Sequence, residues 1–135
     1  MQTNTALRYR KMWLTLGWLL TAFVIFISII PKPPQIDLGI SFGDKVGHFL
    51  AYALLMAWFI QLYHTTGTRL KYALGFVAMG VGLEYIQGLG PDRLFEYADM
   101  AANTAGVTTM LLLMHTRLNQ LFCYVERKLG LNKAD

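Results

Sequence analysis

Charged residues are scarce in this chain, and their absence is concentrated. Asp, Glu, Lys and Arg make up 15% of its 135 residues, against roughly 25% in an average soluble domain. Residues 12–30 contain no ionisable group at all. Cysteine is nearly missing: Cys123 stands alone, which excludes an intramolecular disulfide and a cysteine metal cluster. Its default role is a small buried or interfacial residue, and a lone cysteine is weak support for palmitoylation. Of the four prolines, three fall at Pro31, Pro33 and Pro34, where they stop a helix. There is no glycine-rich phosphate loop, no G-x-S-x-G elbow and no cysteine nucleophile. No A-x-A-like cleavage site precedes Pro31, so the first apolar run is expected to be a retained anchor, not a cleaved signal.

What is present is apolar: 55% of the chain is hydrophobic. Crossing the hydrocarbon core takes about 20 apolar residues at ~1.5 Å rise per residue. Four spans are expected, at about 12–30, 44–63, 72–89 and 99–116, in a single membrane domain covering 1–135. The fold class is therefore all-α, a four-transmembrane-helix bundle. The loop 31–43 alternates Ile36, Leu38, Ile40 and Phe42 with other residues and is expected to graze the interface. The tail, with Leu118, Leu121, Phe122, Val125 and Leu129 at helical spacing, reads equally as an amphipathic surface helix over 117–129 or as an extension of the fourth span. Trp13, Trp18 and the tyrosines read as interface anchors and packing residues.

The net charge of +4 does not indicate nucleic acid, because the basic residues sit at span ends and form no patch with interleaved aromatics. It orients the chain instead. With the N-terminus inside, nine of the twelve Lys and Arg fall on the cytoplasmic side, leaving Lys32, Lys45 and Arg93 outside. Both termini are then cytoplasmic.

Polar residues inside the spans cluster in the outward halves. Asp44, His48 and Tyr52 follow at i, i+4 and i+8. Glu84 and Gln87 share a face of the third span, and Asp99 and Asn103 a face of the fourth. A central charge costs about 2.5–3.5 kcal/mol on insertion scales, so such residues face protein or water. A bundle that hides all three stripes brings them together roughly 5–10 Å below the outer interface. Small-xxx-small spacings at Gly47 and Ala51, Ala78 and Gly82, and Ala98, Ala102 and Gly106 suit close packing there.

These residues carry a resemblance. Asp44-Lys45-Val46-Gly47-His48-Phe49 with Tyr52 resembles the D-K-x-x-H-F-x-x-Y block of the VanZ-like family. Glu84 with Gln87 resembles its E-x-x-Q pair, and Arg93, Asp99 and Asn103-Thr104-Ala105-Gly106 resemble its R…D-x-x-x-N-T-x-G ending. The blocks occur in family order over most of 44–106. The resemblance implies a small integral protein of the bacterial cytoplasmic membrane. The family takes its name from a glycopeptide-antibiotic resistance determinant, and many members have no assigned reaction.

The leading expectation is a multi-pass cell-envelope protein of the bacterial inner membrane. Its outward pocket would bind a lipid headgroup, a lipid-linked envelope precursor or an amphipathic antibiotic. The binding candidates are Asp44, Lys45, Tyr52, Gln87, Arg93, Asp99 and Asn103. Arg93 suits bidentate phosphate recognition, while Lys45 is equally placed to pair with a neighbouring carboxylate. A second reading is a membrane hydrolase or transferase acting on a lipid-linked phosphate, with His48 and Glu84 as acid and base. A third is a helper subunit whose polar network only locks helices. No cofactor is assigned and no metal ligands are assigned, since no ligand spacing is diagnostic. A divalent ion on Asp44, Glu84, Asp99 and Asn103, with His48 admitting zinc or manganese, stays open. The expected partners are membrane lipids, with no nucleic acid. The oligomeric state is not legible.

Overall fold

The computed structural model describes residues 7–31, 43–91 and 94–131. Among them the chain is all-helical, with no strand. The elements are α1 (Arg10–Ile29), α2 (Gly43–Leu62), α3 (Thr66–Gly88), α4 (Tyr97–Leu112) and α5 (Leu121–Lys128), with two 3-10 turns between α4 and α5. The loop expected over 31–43 lies mostly outside the described residues.

Two boundaries differ from the sequence expectation, each for a physical reason. α3 begins at Thr66, six residues before the expected start at 72. Arg69 can lie within it because its guanidinium is paired. It donates to the carbonyls of Tyr63 at 2.6 Å, Ile60 at 2.8 Å and Met114 at 3.3 Å. These carbonyls belong to the C-terminal ends of α2 and of the segment after α4, where a cation is favoured. α4 stops at Leu112, not 116, because Thr116 adopts an extended backbone (φ −86°, ψ 173°). α5 is thus a separate helix and the extended-span reading of the tail fails. Phe122, Cys123 and Glu126 are buried, while Leu118, Leu121 and Leu129 are exposed.

α1 and α2 are each long and apolar enough to cross a membrane. α3 and α4 fall short on the same measure. α4 has only 16 residues, and α3 carries Arg69, Lys71, Glu84 and Gln87. Four spans are therefore not shown by length and composition alone.

α2 packs most extensively against α4, around a core of Leu55, Met56, Phe59, Ile60 and Val107. Gly106 sets their separation. A Cβ there would collide with the Phe49 carbonyl oxygen and stand 2.9 Å from the Ala53 backbone nitrogen. Gly47 and Gly82, by contrast, face open space, so only part of the expected small-residue pattern serves packing.

α5 closes one end of the bundle. The Glu126 side chain, wholly buried, accepts the backbone N–H of Arg8 (3.0 Å) and Tyr9 (3.1 Å) and the Trp13 indole N–H (2.8 Å). α1 has no capping side chain of its own, so Glu126 brings negative charge to its N-terminal end, where the helix dipole favours it. Phe122 stacks on Trp13 at 4.2 Å and meets Trp58 edge-on at 4.8 Å. At the opposite end, the N-termini of α2 and α4 and the C-terminus of α3 converge on the polar stripes.

Candidate functional site

α2 contributes Lys45 and His48 one turn apart, so both reach toward α4. α4 answers with Asp99 in its first turn and Asn103 one turn later. His48 Nδ1 lies 3.0 Å from Asn103 Oδ1. An amide oxygen only accepts, so Nδ1–H is the donor in this contact. Nε2 faces Asp99 Oδ2 at 3.5 Å. Lys45 Nζ sits 2.6 Å from Glu96 Oε2 and 3.2 Å from Asp99 Oδ1. The second contact is an ion pair without hydrogen-bond alignment, since Asp99 Oδ1 has no hydrogen-bond partner among the described residues.

α3 supplies Glu84, which is 1% exposed. Its Oε1 accepts the Glu96 backbone N–H at 2.8 Å, which ties the α3–α4 connection to the pocket. Its Oε2 is buried and has no hydrogen-bond partner among the described residues. Ligand atoms of His48, Glu84 and Asp99 all lie within 4.8 Å of one another. Tyr52 and Asn103 are buried beneath them. They close over Gly80, where a Cβ would stand 3.2 Å from the Tyr52 ring and 3.1 Å from the Asn103 amide. Gly80 was not singled out from the sequence, because the need for a glycine arises from two side chains on other helices.

The electrostatic balance follows. Glu84, Glu96 and Asp99 face one described cation, Lys45, which both Glu96 and Asp99 already engage. Glu96 lies outside the helices, and its hydrogen bond and charge attraction to Lys45 hold its carboxyl below the usual range. Among the described residues, three carboxyl groups thus share one lysine, an arrangement that favours a further cation.

Of the residues expected from sequence, Lys45, His48, Tyr52, Glu84, Asp99 and Asn103 come together. Lys45 takes the pairing role rather than standing free for phosphate. Gln87 does not join the pocket: its amide donates to the Ser28 carbonyl at 2.9 Å, linking α3 to α1. Asp44 is exposed on the first turn of α2, away from the buried Glu84 and Asp99. Arg93 lies outside the described residues. Glu96, in the α3–α4 connection, joins Glu84 to Lys45 through its backbone N–H and its carboxylate. An open apolar groove of about 380 Å³ between α1 and α3, lined by Trp18, Ile25, Tyr72 and Phe76, lies apart from these ionisable groups.

An uncharacterized protein of Schizosaccharomyces pombe is similar to this chain, with 30% identity over 98 residues. The match covers 70% of the chain and 56% of that protein, so the chain spans about half of its relative's length. No protein-family description matches the chain, and no solved structure does.

Proposed function

We propose that this chain is a four-span membrane protein with cytoplasmic termini, whose outward pocket receives the polar headgroup of a membrane lipid or lipid-linked precursor. The observation that carries the reading is an inversion of the usual polarity. Trp18, Leu19, Phe23, Phe26 and Ile29 of α1, Leu74 and Ile86 of α3, and Leu112 of α4 are exposed. Glu84, Asp99 and Asn103 are buried. Soluble proteins bury the first kind and expose the second, whereas hydrocarbon solvent favours this arrangement. The uneven placement of Lys and Arg supports the orientation, with nine of twelve on one side. The VanZ-like resemblance supports an envelope role and a resistance-type effect through altered lipid or antibiotic access. A fungal relative favours a headgroup common to bacterial and fungal membranes over a wall precursor made only by bacteria. Because the described carboxyl groups outnumber the one described lysine, a phosphate enters the pocket together with a headgroup amine or a bound cation.

A second reading, a hydrolase or transferase on the same lipid, is favoured by one observation. Glu84 has an unpartnered buried oxygen near His48, an arrangement suited to proton transfer.

Native mass spectrometry of wild type and Glu84→Gln, at matched folded yield, tests both readings. Wild type is expected to retain a specific lipid, and the variant to lose it. Accumulation of unprocessed lipid on the variant selects the enzyme. If neither protein retains a specific lipid and the variant is merely less stable, the cluster only locks helices.

A further inference from the structure

We propose that His48, Glu84 and Asp99 form a divalent-metal site, of the kind taken by zinc or manganese, at the floor of the outward pocket. Three observations converge on it. The first is spacing. One ligand atom from each residue lies within 4.8 Å of the other two. In a tetrahedral shell, ligands at about 2.0–2.2 Å from a shared ion stand about 3.3–3.6 Å apart, so an ion draws the widest pair together by up to about an ångström. They come from α2, α3 and α4, each fixed by its helix.

The second is the state of the donors. Glu84 Oε2 is buried and unpartnered among the described residues, and leaving such a group unsatisfied is costly. His48 Nε2 and Asp99 Oδ2 face each other across 3.5 Å. A cation between these donors satisfies the orphaned Glu84 oxygen and bridges the ring nitrogen and the Asp99 carboxylate. Lys45 does not serve as that cation, because its contacts go to Glu96 Oε2 and Asp99 Oδ1.

The third is the outer support of the ligands. Metal-bound histidine characteristically donates its other ring N–H to a carbonyl or carboxylate. Asn103 Oδ1 is in that position, 3.0 Å from Nδ1. Glu84 is likewise held through Oε1 by the Glu96 N–H. One nitrogen and two carboxylates suit zinc or manganese better than calcium, which prefers an all-oxygen shell. Side chains of His48 and Asp99 are 17% and 12% exposed, so the ion exchanges with the outside and has room for a further ligand. The site stands whether or not a lipid enters the pocket. If one does, the ion supplies the positive charge that admits its phosphate.

The test is a calorimetric titration of chelator-washed, detergent-purified protein with Zn²⁺ and with Mn²⁺, alongside elemental analysis. Wild type is expected to bind one equivalent. Asp99→Asn and Glu84→Gln are each expected to weaken binding at least tenfold. Asn103→Ala, which removes only the support of His48, is expected to weaken it about 10–100-fold. Folded wild type that takes up neither ion at submillimolar concentration overturns the site. So does binding unchanged in Asp99→Asn and Asn103→Ala, the two variants that decide the matter if Glu84→Gln fails to fold. Metal binding without a retained lipid upholds the site while removing the headgroup reading.

Discussion

At the scale of single residues, Glu126 and Arg69 at the closed end of the bundle satisfy the ends of other helices from a distance. Glu126 satisfies three donors at or near the start of α1 from a position more than a hundred residues away. Glu126→Ala removes the acceptor that all three share, so thermal denaturation in detergent is expected to show a loss of roughly 1–3 kcal/mol. Glu126→Gln keeps an acceptor oxygen and is expected to lose less. Gly106 is the other sharp position. Gly106→Leu forces the side chain onto the α2 backbone, and overpacking of this kind costs about 1–3 kcal/mol. Gly82→Leu, facing open space, is expected to leave the melting temperature nearly unchanged. The two glycines look alike in sequence. They differ because only one faces a neighbouring helix at backbone contact.

At the scale of elements, the turn between α2 and α3 has a pH dependence of its own. Burial, and then the positive charges of Arg69 and Arg10, hold the His64 imidazole below its ordinary value of 6.5. The folded chain thus binds that proton more weakly than the unfolded chain. The contribution of His64 to stability is complete above the ordinary value and is lost as pH falls toward the depressed one. Melting temperatures measured downward from about pH 8 to 5 are expected to decline for wild type. His64→Asn is expected to show a shallower decline, and an equal slope in both would remove His64 as the cause. α5 belongs to this scale too. Its amphipathic spacing was legible, but the burial of Glu126 was not. Glu126 is charged yet buried because the start of α1 presents N–H donors to it, beside the Trp13 ring that stacks on Phe122.

At the scale of the whole molecule, the proposed topology places the α3–α4 connection outside and the α2–α3 turn inside. In a Cys123→Ala background, Leu94→Cys is expected to react with a membrane-impermeant maleimide on intact cells. Gly67→Cys is expected to react only after permeabilisation. Reaction of both on intact cells would overturn the four-span reading.

Periodicity and charge placement alone determined the helical class, the break at Pro31 and the grouping of His48, Tyr52, Glu84, Asp99 and Asn103 at one end of the bundle. These follow from local propensity and from the cost of exposing a polar group to hydrocarbon, both of which act residue by residue. Only the tertiary structure decided which polar groups meet. It turned Gln87 toward Ser28, left Asp44 exposed, bound Lys45 to Glu96 and Asp99, and set Glu126 and Arg69 over the ends of other helices. Each of those contacts depends on helix rotation and axial offset. Those are set by close approaches such as the one at Gly106, which no spacing along the chain encodes.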